Sequence, residues 1–349
     1  MKEAQLYEKL DEETVKCATC AHRCRILEGK RGICGVRENR GGTLYSLVYG
    51  YPISQAVDPI EKKPLFHFYP GTAAFSVATV GCNFHCTFCQ NADISQMPRD
   101  RERIVGRDTS PQQLVDTAKR HNCRSIAYTY TEPTVFFDYT YDTAVLARRE
   151  GIANVYVTNG YMTPEVLQAF VDGGGEEGTL LDAANVDLKS FSDDFYRHQC
   201  SARLQPVLDS LVLMKEQGVW VEVTTLVIPG LNDSPEELRQ IAEFIRHDLG
   251  AETPWHVSAF HPTYKLLDRP RTSPDTLRMA RQIGLEAGLR YVYEGNIPGS
   301  DGENTLCHNC GRWVVRRYGF AVTESRVSNG KCRLCGAQID GVGISGTSI

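Results

Sequence analysis

Seven short runs rich in Val, Ile, Tyr and Thr recur through the middle of the chain, and stretches of helical character separate most of them. The runs cover residues 75–80, 125–130, 154–158, 185–188, 220–228, 256–260 and 291–293. β-Branched and aromatic side chains suit a pleated surface, so each run reads as a strand. Four intervening helices announce their starts with a hydroxyl before a proline: Ser110-Pro111, Thr163-Pro164, Ser234-Pro235 and Ser273-Pro274. The hydroxyl caps a free backbone N–H, and proline sits where an N–H has no helical partner. Ser234-Pro235-Glu236-Glu237 has the pattern of a full capping box. Such alternation over about 220 residues implies parallel strands joined by helical crossovers. No G-x-G-x-x-G follows the first strand, so a dinucleotide-binding fold fits less well than a barrel. The expected architecture is α/β: a partial (β/α)6-type TIM barrel over residues 46–300, with small modules at 1–45 and 301–349.

In barrels of this kind chemistry gathers where the strands end at their C-terminal edge. That rim would carry Cys82 after Gly81, Glu132 before Pro133, Asn159 in Thr158-Asn159-Gly160, Asp187 and Lys189 around Leu188, and His261. Asp187 and Lys189 are two apart, so both face one side of a strand end. His256 faces the other way and reads as structural.

The 13 cysteines are an odd number, and 11 of them fall into three groups. In a reducing compartment such grouping means metal or catalysis rather than disulfides. The central group, Cys82, Cys86 and Cys89, is one ligand short of a closed set. An open position marks a reactive metal, whereas a full set marks a structural one. The plainer alternatives are a zinc site with a distant fourth ligand, or packed thiols. Cys17, Cys20, Cys24 and Cys34 form a full set for zinc or an auxiliary Fe–S cluster, with His22 as a spare ligand and Arg23, Arg25, Lys30 and Arg31 to offset thiolate charge. Cys307, Cys310, Cys332 and Cys335 form two C-x2-C-Gly turns like the knuckles of a zinc ribbon, with zinc expected and an Fe–S cluster second. Arg312, Arg316, Arg317, Arg326 and Arg333 make that module basic, most simply as a solvated face. Cys123 and Cys200 stand alone and read as core residues.

Hydrophobic residues make up 42% of the chain, enough for a packed core. The balance of 38 basic and 43 acidic residues, a net charge of −5, argues against a general nucleic-acid or anionic-membrane binder. No apolar run is long enough to span a bilayer, and the first residues lack the apolar core of a secretory signal. A cytoplasmic protein is expected.

The spacing C-x3-C-x-aromatic-C, with Phe88 in the aromatic place, resembles the hallmark of radical S-adenosylmethionine (SAM) enzymes. The resemblance implies a [4Fe–4S] cluster on Cys82, Cys86 and Cys89, with SAM chelating the open iron. Reductive cleavage of SAM would then yield a 5′-deoxyadenosyl radical that abstracts hydrogen from a substrate, an oxidoreductase chemistry. Further matches resemble the pyruvate formate-lyase activating branch. Glu132-Pro133 stands where that branch has Gly-Gly-Glu-Pro, with Tyr130-Thr131 replacing the glycines, and implies a bond from Glu132 to the SAM amino group. Asn159 lies in a similar Thr-Asn-Gly segment, although Val157 replaces the aspartate that precedes it there. Asp187-Leu188-Lys189 implies contacts to the SAM ribose and carboxylate, and His261 implies a place near the adenosyl group.

Residues 30–37, 58–67, 81–91 and 187–190 resemble the AmmeMemoRadiSam system radical SAM enzymes, and this narrower likeness runs over nearly the whole chain. It implies association with Memo-like and AMMECR-like proteins and a flavodoxin- or ferredoxin-type electron donor. The broader likeness to the activating branch implies a reaction of the glycyl-radical-enzyme-activating kind, on a protein substrate. One alternative is modification of a peptide or small molecule with those partners. Another, from a different class, is a non-catalytic multi-zinc module that binds RNA or protein.

Overall fold

The computed structural model of the chain describes residues 1–297 and 299–344. Its centre is an eight-stranded sheet whose strands lie side by side in chain order. The strands are β1 Ser54–Pro59, β2 Ala73–Ala78, β3 Ser125–Tyr128, β4 Ala153–Thr158, β5 Ala183–Asp187, β6 Trp220–Val227, β7 Trp255–Ala259 and β8 Val292–Gly295. From β2 onward every neighbouring pair is parallel, and β1 runs antiparallel beside β2. Six helices cross over between the parallel strands: α1 Pro111–Arg120, α2 Phe137–Arg149, α3 Pro164–Gly174, α4 Gln205–Glu216, α5 Pro235–Phe244 and α6 Pro274–Glu286. β1 and β8 do not pair, so the barrel stays open on one side. All seven predicted strands are present with ends shifted by one or two residues. β1 is additional.

Period-two alternation divides the two faces of this sheet. Ile126, Val186, Val223 and Val257 belong to the large core packed with Leu114, Leu167, Leu211, Leu238 and Leu277 of the helices. Burying each such side chain stabilises the fold by about 1.5–3 kcal/mol. The residues between them, Asn185, Asp187, Thr224 and Ser258, line a central cavity instead. A parallel sheet covered by helices thus keeps a polar inner face.

Local capping differs in detail from the sequence pattern. Ser110 makes the reciprocal box, accepting from the Gln113 N–H while Gln113 accepts from the Ser110 N–H. Ser234 accepts from the Glu237 N–H at 3.2 Å, but the Glu237 carboxylate reaches across to the Ser190 hydroxyl and the Phe191 N–H. Thr163 gives no cap bond, because its hydroxyl donates to the Ala18 carbonyl at 2.7 Å. In both places a tertiary partner outcompetes the local one.

Two small modules flank the sheet. The first has the three-stranded sheets Tyr7–Lys9, Thr14–Cys17, Arg25–Leu27 and Lys2–Glu3, Thr43–Ser46, Arg37–Arg40. The second is built on Thr305–Leu306, Trp313–Tyr318 and Ala321–Ser325, followed by the pair Val327–Ser328 and Lys331–Cys332. It occupies the open side of the barrel. Arg317 donates to the Phe66 carbonyl in the β1–β2 connection, and Thr305 shares a hydrogen bond with Tyr293 of β8.

Candidate active site

The loop after β2 carries the central cysteines. Gly81 opens it with φ +101, a conformation that glycine adopts without strain. A Cβ there would lie 2.7 Å from Val36 Cγ1 and 3.1 Å from the Cys34 carbonyl oxygen, so the N-terminal module presses directly on this turn. The rest of the loop is tied down from several sides. The His85 and Thr87 N–H groups donate to the carbonyls of Cys200 and Gln199, both at 2.9 Å. Gln96 donates to the Phe84 carbonyl, and His22 Nε2 lies 2.9 Å from the Asn83 carbonyl. The segment Tyr196–Cys200 that receives the loop is a single π-helical turn, which places two free carbonyls opposite it.

Cys82, Cys86 and Cys89 line a cavity of about 370 Å³. Phe88, Glu132, Asn159, Asp187 and Lys189 line the same cavity, having come from four different strand ends. Burial pushes the Cys82 and Cys89 thiols up, so a metal must displace their protons. Cys86 shifts the other way, because the Cys200 thiol donates to it and Lys189 attracts its charge. Cys200 is fully buried and Cys123 is also core, in line with their reading from sequence.

Each lining residue is held by its neighbours. The buried Glu132 carboxylate accepts four hydrogen bonds: Oε1 from the Thr134 N–H and hydroxyl and the Thr158 hydroxyl, and Oε2 from the Asn159 N–H. Asn159 donates to Asn83 Oδ1 at 2.8 Å and lies 3.8 Å from Cys82 Sγ. Lys189 Nζ pairs with Asp187 at 2.7 Å and lies 5.9 Å from the Phe88 ring. Its neighbours Asp187, Cys86 and Cys200 outweigh burial and hold its pKa up, so it stays cationic. Phe88 is 3% exposed and packs on Phe195.

His261 is not in this group. It follows β7 as expected, but the chain turns outward there, leaving it exposed and outside the cavity lining. Val157 lines the cavity, so its apolar side chain stands in the wall where a carboxylate was absent from the sequence. Tyr130 takes φ +66, the left-handed conformation that glycine would adopt freely. Its hydroxyl donates to Asp58, which also pairs with Lys62 and Lys63, and these contacts offset the strain. This Asp58–Lys63–Tyr130 group, with Lys62 on the cavity wall, was not evident from sequence. Nor was Phe320, which the C-terminal module contributes to the same wall. The segment 58–67 carried a motif but no periodicity to show where it would fold.

Sulfur spacing separates the three cysteine groups. A tetrahedral zinc ion with bonds of about 2.3 Å holds its sulfurs roughly 3.8 Å apart. Among the described residues, only Cys307, Cys310, Cys332 and Cys335 bring their ligand atoms within 4.8 Å of one another. The central three are more widely set, as a polynuclear cluster requires. Three thiols on a cavity with space beside them fit a [4Fe–4S] cluster with one open iron, and the charged and amide groups opposite fit a zwitterionic ligand. In the basic C-terminal module, Arg317 is buried against the barrel, and Arg316 and Arg326 stack on Trp313 at 4.1 and 3.4 Å.

A partial α/β barrel with an open three-thiol site at its strand ends defines a class of enzymes, and comparison with known proteins identifies it. Residues 76–245 match the Radical SAM superfamily. Over 342 residues the chain is 49% identical to the Methanocaldococcus jannaschii protein MJ0808, covering 97% of this chain and 99% of that one. The chain belongs to the radical SAM superfamily, and membership implies a [4Fe–4S] cluster and SAM as cofactors. It is distantly related to the pyruvate formate-lyase-activating enzyme of Clostridium pasteurianum, at 22% identity over 61% of this chain and 89% of the relative. A radical SAM methyltransferase from Sphaerobacter thermophilus shares the fold, with a TM-score of 0.51 at 16% identity over 90% of this chain and 80% of that one. No helix among the described residues is long and apolar enough to cross a membrane.

Proposed function

We propose that Cys82, Cys86 and Cys89 hold the [4Fe–4S] cluster, that the facing wall of the same cavity holds SAM, and that the chain generates a radical on a substrate. The carrying observation is that three thiols, one short of a closed set, converge on one cavity with Glu132, Asn159, Asp187 and Lys189. When bound, the cluster and SAM supply a 5′-deoxyadenosyl radical that takes a hydrogen atom from the substrate.

The chain's own residues would bind, orient and exclude water. Lys189 and Asp187 offer opposite charges to a ligand that carries both, Lys189 to a carboxylate and Asp187 to a hydroxyl or ammonium donor. Glu132 Oε1 is saturated by three donors, which leaves only Oε2 free to accept from an amino group. Asn159 braces Asn83, and through it the cysteine loop. Phe88, packed on Phe195, gives the wall beside Cys89 an apolar face.

Distant kinship with activating enzymes favours hydrogen abstraction from a glycine of a partner protein. A low-potential flavodoxin or ferredoxin is the fitting class of electron donor, since the reaction needs one electron per turnover. Anaerobic protein with a verified cluster should form 5′-deoxyadenosine from SAM and a reductant, and Cys82→Ala should abolish it. Loss of product in the wild type despite a full cluster would end this reading. A glycyl doublet in the electron paramagnetic resonance spectrum of a co-incubated partner would identify the activating reaction, and its absence with turnover of a peptide or small molecule would exclude it.

A further inference from the structure

The four N-terminal cysteines lie outside the site just described. Cys17 ends a strand, Cys20 and Cys24 flank the turn after it, and Cys34 sits just ahead of the strand Arg37–Arg40. All four line one small pocket, and Ile26, Ile33 and Val135 supply apolar walls. The pocket is small, largely apolar and lined by sulfur, which suits a thiolate-bound metal centre.

Arg37 supplies an independent pointer to a negatively charged occupant. It lines the same pocket and is 2% exposed. Its Nη2 donates to Asp138 at 2.7 Å and its Nε to the Val135 carbonyl at 3.1 Å. Its Nη1 is buried with no partner. A buried guanidinium N–H without an acceptor is costly, so the protein retains a cation where something anionic belongs. A metal centre with four thiolates carries net negative charge and answers that need.

Size decides which metal centre. The C-terminal cysteines are gathered to within 4.8 Å of one another, close to the spacing a single zinc ion imposes. No three of the N-terminal cysteines are gathered so closely among the described residues. The same holds for the central three. We propose that Cys17, Cys20, Cys24 and Cys34 hold a second iron–sulfur cluster, with Arg37 as its buried counter-charge. The site adjoins the first. His22, two residues after Cys20, touches the Asn83 carbonyl next to Cys82, and the Cys34 carbonyl abuts Gly81.

The full chain with Cys82→Ala, Cys86→Ala and Cys89→Ala, reconstituted anaerobically with iron and sulfide, isolates this site from the first. Its outcome therefore does not depend on where SAM binds. The variant should retain about two to four iron atoms per chain with equal acid-labile sulfide, and give a paramagnetic signal on reduction with dithionite. Adding Cys20→Ala and Cys34→Ala should remove both iron and signal, with the metal of the C-terminal site retained as the check on folding. If the triple variant does not fold, Cys20→Ser with Cys34→Ser in the otherwise native chain should lower the iron content by the same amount. An iron-free triple variant that is folded, whether its N-terminal pocket carries zinc or no metal, overturns the proposal. So does iron that survives loss of Cys20 and Cys34.

Discussion

At the scale of single residues, Glu132 shows how a buried carboxylate organises a site. Burial pushes its pKa up, and four donors hold it in place. An amide in its position would turn an NH2 group toward at least one of those donors. Glu132→Gln is therefore expected to destabilise the protein by about 1–3 kcal/mol, since a buried donor is left unpaired. It should also weaken SAM binding, through Asn159. Chemical denaturation and SAM titration check the two effects, and an unchanged midpoint would mean that the carboxylate is not the organiser inferred here. Glu132 could be named from sequence because Glu-Pro followed a strand. Its four partners could not, because Thr158 and Asn159 reach it across adjacent strands.

At the scale of elements, the connection between β1 and β2 plugs the lower end of the barrel. The Phe66 and His67 N–H groups donate to the buried Glu222, whose carboxylate also pairs with His256. The His67 ring lies between the Asp340 carbonyl and the Tyr293 hydroxyl, both at 2.6 Å. A neutral imidazole satisfies this arrangement by donating from Nδ1 and accepting at Nε2. Burial holds the His67 pKa down to about 4. The unfolded chain takes up that proton below about 6.5, so its proton count exceeds the folded one between the two values, and stability falls as pH falls through that window. By pH 5 the loss from this residue is about 2 kcal/mol relative to pH 7. His67→Gln should lower stability at pH 7 but flatten that part of the profile. A profile as steep as that of the native chain would refute the assignment.

At the scale of the whole molecule, the C-terminal module completes the barrel rather than hanging from it. It covers the open side between β1 and β8 through Arg317 and Asp340, and sends Phe320 to the cavity wall. Its core is only a few residues, including Cys307, Val314, Val315 and Cys332. So small a core gains stability from any metal that the four cysteines bind. Gly311 and Gly336 adopt φ +67 and +80 beside their cysteines, and the backbone N–H and side chain of Arg312 hold the Cys310 thiol down to about 6. Cys307→Ser with Cys332→Ser should remove about one zinc ion per chain and lower the melting temperature, with protease cleavage appearing first within 305–340. Metal analysis and limited proteolysis read these outcomes, and full zinc retention would show that the four sulfurs do not form the site.

Much of the architecture was legible in the chain itself. The seven parallel strands could be read because Val, Ile, Thr and Tyr repeat between capped helices. β1 escaped notice because Asp58 and Pro59 give it neither apolar alternation nor a turn signal, and its pairing partner β2 is what makes it a strand. The cysteine spacings determined that three metal sites were expected, since ligand number and loop length are properties of sequence. The sulfur separations that bear on one ion against a cluster emerge only in three dimensions, because they depend on how distant turns pack. His261 followed the right strand but faces solvent, because rim position says nothing of the direction a loop takes next. The thiols, the strand–helix alternation and the open three-cysteine spacing could be read from the chain, because each is a local pattern. Only tertiary structure brings the N-terminal module and the turn at 196–200 against the cysteine loop and Phe320 to the cavity wall, because contacts between residues far apart in the chain leave no local trace.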